Sequence, residues 1–141
     1  MVSMELVESF CKQAWSAIRA ARLHYDGGDY PSCVKEAQHA VELMLKALLK
    51  RYIGDFPKKH DVGDEVYRSA EKLPEGLRPH LARLWMASKV LGSWREPSTY
   101  GIEAEQTPPH RLFTKAEAEL ALQYAEEVRS ILRSYTDLPL W

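Results

Sequence analysis

The chain has 141 residues, and its 19 basic and 20 acidic side chains give a net charge of −1. This balance excludes a basic surface that would attract nucleic acid or an anionic membrane over its whole extent, so any basic site is local. A chain of this length is typical of one domain, and we expect a single domain over residues 1–141.

Two cysteines and five histidines limit the chemistry further. Cys11 and Cys33 belong to no shared motif and predict reduced thiols, as in a cytoplasmic protein. The histidines lack the spacing of metal ligands, so the sequence predicts neither a metal site nor a cofactor. No apolar run is long enough to span a membrane and the N-terminus has no signal-peptide pattern, which also favours a cytoplasmic location.

Two amphipathic helices are predicted at the start of the chain. Residues 4–25 and 29–52 carry apolar side chains at steps of three and four, which places them on one helix face. The segment between them supplies turn glycines, Asp29 as a predicted N-cap, and Pro31, which suits a first helical turn. A connection this short predicts an antiparallel hairpin.

A polar row lies opposite the apolar face of the second helix. Its members recur at steps of three or four and are Lys35, His39, Glu42, Lys46 and Lys50. Such a row is either solvated or part of a site. For Glu42 and Lys46, which are one turn apart, we expect an exposed ion pair worth roughly a few tenths of a kcal/mol unless a dimer buries it.

The next part of the chain predicts one short helix and a third long one. The short helix extends from about residue 61 to residue 73. The long helix extends from about residue 75 to residue 91, with Pro79 in its first turn and Gly92 as its stop. Residues 92–113 show no period and predict a long irregular segment, of a kind that often carries function.

The last helix starts at a capping box, Thr114 with Glu117, and ends near Tyr135. Its predicted core face consists of Leu120, Tyr124, Val128, Ile131 and Tyr135. The tail, residues 137–141, has no assignment. Because no stretch alternates apolar and polar residues as a strand does, the predicted fold class is all-α: an up-and-down helical bundle of four long helices plus one short helix.

The second helix and its approach, GDYPSCVKEAQHAVELMLKALL, carry a family pattern. The matching helix residues are Ala37, Ala40, Val41, Glu42, Lys46 and Ala47. Pro57, His60 and Asp61 follow that helix, and the segment 94–100, WREPSTY, comes after the helix predicted over residues 75–91, the fourth in chain order. In this order the residues resemble the HEPN family (higher eukaryotes and prokaryotes nucleotide-binding domain), and the resemblance covers nearly the whole chain.

The resemblance implies a small helical bundle that is usually a homodimer and is often encoded beside a minimal nucleotidyltransferase in a two-gene module. It also implies that many relatives are RNA-cleaving toxins. Their motif is an arginine followed after four to six residues by a histidine, in a cleft between two subunits. Here Arg95 is present, but after four intervening residues comes Tyr100. The chain therefore lacks the full ribonuclease motif.

The candidate nucleotide-binding residues are Arg95, Tyr100, Trp94, His60, Glu42 and Lys46. A guanidinium matches phosphate oxygens, and Tyr100 or Trp94 can stack on a base. Tyrosine, with an ordinary pKa of about 10, is poorly suited to moving a proton near neutral pH, so Arg95 and Tyr100 favour binding over catalysis. In the alternative interpretation Arg95 pairs with a helix end, the two aromatic rings cover the core edge, and His60 is a local hydrogen-bonding anchor.

Three functional hypotheses follow. The leading one is a dimeric nucleotide- or RNA-binding module that works with a nucleotidyltransferase in a toxin–antitoxin-type pair. The second is a ribonuclease toxin that uses Arg95 with Tyr100, His60 or His110 as the proton-transfer group. The third is a non-catalytic adaptor whose dimer binds only protein. His110 and Arg111 are a further candidate contribution to a basic cleft.

Overall fold

Four long helices form the body of the protein. The structure is a computed structural model that describes residues 4–141, so residues 1–3 of the predicted domain lie outside the described part. In chain order the helices are α1 (Met4–Asp26), α2 (Tyr30–Tyr52), α3 (Gly63–Arg68), α4 (Leu81–Trp94), α5 (Pro97–Tyr100), α6 (Pro109–Leu112) and α7 (Lys115–Tyr135). Residues 4–141 contain no strand, and the predicted all-α bundle with four long helices is confirmed. None of the helices described is both long and apolar enough to cross a membrane.

The first two helices form the predicted hairpin. They pack along each other and are joined by a short turn, in which Gly28 has a φ of 77°. Asp29 is the N-cap of α2, and its Oδ1 accepts a hydrogen bond from the backbone N of Ser32 at 3.3 Å. Both features follow directly from the turn and capping residues in the sequence.

The sequence predicts that α2 buries a single apolar face, but the structure places this helix at the centre of the bundle. This helix packs against α1, α4 and α7, so it is buried around most of its circumference. Its buried residues are Cys33, Val34, Ala37, Gln38, Ala40, Val41, Glu42, Leu43, Met44, Leu45, Ala47, Leu48 and Leu49. Gln38 and Glu42 are polar members of this set, and they therefore need hydrogen-bonding partners.

The predicted bounds of the third and fourth helices are wrong at both ends. The helix expected over 61–73 is α3 followed by a separate 3-10 turn, Ala70–Lys72. Pro79 lies inside a 3-10 segment, Glu75–His80, and α4 begins only after it. Gly92 does not stop α4, which continues to Trp94. A Cβ at Gly92 would lie 3.2 Å from the Cβ of Asp61, so this glycine gives room for a close approach.

The segment expected to be irregular, residues 92–113, is mostly helical turns. Arg95 and Glu96 keep right-handed helical dihedrals after α4, and α5 follows at once. Gly101 ends this turn with a φ of 70°, where a Cβ would collide with the carbonyl oxygen of Thr107 at 2.0 Å. The loop closes through an isolated bridge between Ile102 and Thr107. Residues 95–100 are thus a continuous helical extension of α4.

The capping box of α7 is confirmed, but its core face is rotated from the predicted one. Leu120 and Tyr135 are exposed. The buried residues are Ala118, Ala121, Ala125, Val128, Ile131 and Leu132. Val128 and Ile131 of the predicted face are buried, but the first half of α7 contacts the bundle through alanines, which bring helices close together. The tail packs too: Leu138 is buried, and Asp137 accepts hydrogen bonds from Arg51 and Tyr52.

Asp61 fixes the loop after α2 against α4. Its Oδ1 accepts from the backbone N of Gly63 at 3.0 Å and from Ser88 Oγ at 2.8 Å, and its Oδ2 lies 3.0 Å from Lys89 Nζ. Burial by itself raises the pKa of Asp61, but the hydrogen bonds from Gly63, Ser88 and Lys89 outweigh it and hold the pKa below its ordinary value. The loop residue before Asp61, His60, is therefore held in place.

Asp61→Ala should lower the free energy of unfolding by about 2 kcal/mol at neutral pH, because it removes hydrogen bonds to a charged acceptor. Folding lowers the pKa of this carboxyl, so its stabilisation is present above the unfolded value of about 3.9 and is lost as the pH falls through the folded value. Urea unfolding at neutral and acid pH measures this, and the difference from wild type should shrink in acid. The control is Asp55→Ala, which removes an exposed carboxylate bonded only to the adjacent Phe56 N. A difference that is unchanged in acid would contradict the assignment.

Candidate functional site

A polar pocket lies between α2, the loop that follows it, and the helical extension 95–100. Its volume is about 500 Å³. The lining residues are Lys35, Glu36, Gln38, His39, Glu42, His60, Arg95, Glu96, Thr99 and Tyr100. Four of the predicted site residues, Glu42, His60, Arg95 and Tyr100, thus lie around one cavity although they are far apart in the sequence.

Glu42 is the buried centre of this pocket. Its Oε1 accepts from Gln38 Nε2 at 3.1 Å and lies 3.0 Å from His60 Nδ1, while its Oε2 accepts from Lys46 Nζ at 2.9 Å. The side chains of Glu42 and Lys46 are only 11% and 13% exposed. The prediction of an exposed surface ion pair is therefore wrong, because the fold of one chain already buries both groups.

The protonation of Glu42 follows from its partners. Burial by itself raises its pKa, but the hydrogen bonds from Lys46, Gln38 and His60 outweigh it and leave the pKa below its ordinary value. An ionised carboxylate only accepts hydrogen bonds, so His60 Nδ1 carries the hydrogen in this contact. That leaves Nε2 of the neutral ring as an acceptor, which is how a carboxylate fixes a histidine tautomer.

His60 joins the loop to α2 rather than capping its own helix. Its partner Glu42 lies 18 residues earlier, and the local anchor at this point is Asp61. The side chain of His60 is 54% exposed and lines the pocket. Within residues 4–141 its Nε2 has no hydrogen-bonding partner, so this nitrogen is available to a ligand.

Arg95 presents an uncompensated cation. Its guanidinium makes no ion pair or hydrogen bond with any described residue, so the alternative of a pair at a helix end is not observed. The backbone carbonyl of Arg95 accepts from Ser98 Oγ at 2.8 Å, which closes the turn. Because residues one turn apart share a helix face, Arg95 lies with Thr99, and Glu96 lies with Tyr100.

The other predicted residues occupy different places. Tyr100 is 66% exposed and lines the pocket, but Trp94 does not, since its ring packs edge-to-face on Phe113 at 5.6 Å. Lys46 supports Glu42 from outside the lining set, with its Nζ 5.5 Å from the centre of the Phe56 ring. His110 and Arg111 are exposed on α6 and do not line the pocket.

Sequence reasoning missed several lining residues. Lys35 and His39 belong to the polar row on α2, whose spacing from Glu42 was visible in the sequence. Glu96 and Thr99 lie near Arg95 in the sequence. They could be recognised as lining residues only from the helical conformation of residues 95–100. Gln38 lies outside the polar row and carried no signal. Among residues 4–141, no three His, Cys, Asp or Glu side chains are grouped as a metal ion would require.

Comparison with known proteins gives a family and two similar structures. The model of the HEPN domain family matches residues 7–135. The crystal structure of TT1696 from Thermus thermophilus has a TM-score of 0.72 and 27% identity, covering 91% of this chain and 96% of that one. That of ST0689, described as an archaeal HEPN homologue, has a TM-score of 0.63 and 20% identity, covering 91% and 95%.

A search of curated proteins found no match. The family match nevertheless extends from the second turn of α1 to the last residue of α7, and it includes every element that lines the pocket. The chain therefore belongs to the HEPN domain family.

Proposed function

We propose that this chain is a single-domain nucleotide- or RNA-binding module whose ligand occupies the pocket between α2 and residues 95–100. The observation that carries the proposal is that the unpaired guanidinium of Arg95 and the exposed ring of Tyr100 line one cavity. A guanidinium binds phosphate oxygens through two parallel hydrogen bonds, and an exposed aromatic ring stacks on a base. The two contacts together match the two ends of a nucleotide.

The charges of the pocket favour a short ligand over a long polyanion. The cations in and below it are Lys35, Lys46 and Arg95, and the carboxylates are Glu36, Glu42 and Glu96. Of these, Glu42 and Lys46 neutralise each other. What remains is mixed in sign, so electrostatic attraction to a continuous phosphate backbone is weak. A mononucleotide, or one nucleotide unpaired from an RNA strand, suits such a pocket better.

We further propose that the chain acts as a cytoplasmic homodimer beside a minimal nucleotidyltransferase, in a toxin–antitoxin-type module. The family supports this assignment. An apolar groove on the outer side of α3 and α4, which includes exposed Tyr67, Trp85 and Met86, is consistent with protein contacts. Light scattering should give the mass of two chains, and co-expression with a nucleotidyltransferase encoded beside it should give a stable complex. A monomer that forms no such complex would contradict this part of the proposal.

A second candidate function is RNA cleavage, and the Glu42–His60 contact favours it. The missing histidine of the family motif is replaced at its position by Tyr100, but the same pocket contains an imidazole that a buried carboxylate orients. Such a dyad positions Nε2 for proton transfer, and Arg95 is suited to stabilising charge on a phosphate. His39 also lines the pocket, but no described carboxylate orients it.

Arg95→Ala should weaken the binding of nucleoside monophosphates and short RNA by roughly ten-fold or more, because it removes charge-assisted hydrogen bonds to phosphate. Titration calorimetry or fluorescence anisotropy measures the dissociation constants. Tyr100→Phe should retain binding, since it keeps the stacking ring, whereas Tyr100→Ala should weaken it.

The matched control for Arg95→Ala is Arg78→Ala, which removes an exposed arginine outside the pocket. If Arg78→Ala lowers affinity as much as Arg95→Ala, the binding is a general charge effect and the site is wrong. Failure of wild type to bind any nucleotide or RNA, together with tight binding of a partner protein, would instead support a non-catalytic adaptor.

If the chain cleaves RNA, His60→Ala should abolish cleavage while leaving nucleotide affinity within a few fold, because the imidazole moves protons and Arg95 provides the main contact to phosphate. Glu42→Gln should lower the rate, since the imidazole loses the carboxylate that orients it. Gel analysis of labelled RNA measures cleavage, and arrest of growth on expression is a second readout.

His110→Ala, which changes an exposed histidine outside the pocket, is the control and should cleave normally. Cleavage that is unaffected by His60→Ala but lost in His110→Ala would place the chemistry elsewhere. No cleavage of several RNA substrates by pure wild-type protein would leave binding as the only activity of the pocket.

A further inference from the structure

We infer that the pocket selects guanine and that the carboxylate of Glu96 is the group that reads the base. This inference rests on the proposed nucleotide binding and names the ligand class of the same pocket. It starts from two carboxylates, Glu36 and Glu96, that line the cavity and have no ion pair or hydrogen bond with any residue of the described chain. Two free carboxylates in a phosphate pocket oppose binding unless the ligand also brings hydrogen-bond donors.

Because residues 95–100 are helical, the side chains that they contribute to the pocket lie on two adjacent helix faces. Arg95 and Thr99 are one turn apart on one face, and they present a guanidinium and a hydroxyl. Glu96 and Tyr100 are one turn apart on the neighbouring face, and the backbone N of Tyr100 donates to the carbonyl of Glu96 at 2.9 Å. Residues at adjacent positions do not face each other, so Glu96 leaves Arg95 unneutralised, in agreement with the absence of an ion pair between them.

This arrangement assigns one end of a nucleotide to each face. A phosphate bound by Arg95 and Thr99 places the base beside the ring of Tyr100. A base stacked on that ring has its edge one helical turn away, near the carboxylate of Glu96. Stacking on an aromatic ring with hydrogen bonds to the Watson–Crick edge is the common way in which proteins read an unpaired base.

The carboxylate then determines which base fits. An ionised carboxylate only accepts hydrogen bonds, so it needs donors on the base edge. Guanine alone presents two neighbouring donors there, at N1 and the 2-amino group, which match the two carboxylate oxygens. Adenine and cytosine present a ring-nitrogen lone pair next to their amino group, and uracil presents a single donor between two carbonyls. Each of these leaves a repulsive or unmatched contact.

Glu96 is better placed than Glu36 for this role. Glu36 lies on α2, on the other wall of the pocket, whereas Glu96 shares its face with the stacking ring. Glu96 is also exposed and carries no side-chain interaction within the described fold, so replacing it leaves the bundle intact. A change in base preference can therefore be measured without a change in stability.

The experiment measures the dissociation constants of GMP and AMP for wild type, Glu96→Gln, Glu36→Gln and Glu103→Gln by titration calorimetry. Wild type should bind GMP roughly ten-fold more tightly than AMP, as expected for one bidentate contact. Glu96→Gln should remove this preference by weakening GMP, since the amide offers only one acceptor. Glu103→Gln, an exposed glutamate outside the pocket, is the control and should keep the preference. Thermal melting of all variants checks that they fold.

The outcomes separate this inference from the proposed function. Equal binding of GMP and AMP that Arg95→Ala abolishes would overturn the guanine assignment and leave nucleotide binding intact. A guanine preference lost in Glu36→Gln but kept in Glu96→Gln would overturn the assignment to Glu96. Binding of neither nucleotide would contradict the proposed function itself. A preference lost only in Glu96→Gln would support both.

Discussion

The buried carboxylate of Glu42 is the constraint on which the pocket depends. It lies on α2, which is enclosed by α1, α4 and α7, so water cannot compensate its charge fully. Three donors, on Gln38, Lys46 and His60, satisfy it. Removing one partner of a buried ion pair leaves an uncompensated charge, which costs free energy. The folded state therefore keeps these three donors close to the carboxylate. The same requirement that stabilises the central helix therefore brings His60 to the pocket wall.

The adjacent residues His60 and Asp61 link the loop to two different helices, α2 and α4. His60 binds Glu42 of α2, while Asp61 binds Ser88 and Lys89 of α4 and the first backbone N of α3. The close contact of this loop with α4 requires Gly92, where a Cβ would lie 3.2 Å from Asp61. Because α4 continues into residues 95–100, the loop that contains His60 contacts the same helix that leads to Arg95. The pocket walls are thus linked through the bundle itself.

The sequence predicted the features that depend on local chemistry. The turn glycines, the Asp29 cap and the Thr114 capping box were read correctly because each acts within a few residues. What failed depended on packing. Gly92 was interpreted as a stop, although its missing side chain makes room for a close contact with Asp61. The first half of the buried face of α7 consists of alanines, which carry little hydrophobic signal. Glu42 looked exposed for the same reason, since helical spacing gives the face of a residue but not which neighbours cover it.

The residue at position 100 bears differently on the two proposed functions, ligand binding and RNA cleavage. The proposed binding needs a cation for phosphate and a surface for the base, and residues 95–100 contain an arginine and an exposed tyrosine but no histidine. Proton transfer near neutral pH needs a group such as imidazole, and Tyr100 carries a phenol instead. In this pocket the oriented imidazole comes from His60, which is held by a carboxylate on another helix. The proposed binding would therefore depend on one short helical segment, whereas the proposed cleavage would depend on the Glu42 network, so that the two activities involve different parts of the pocket.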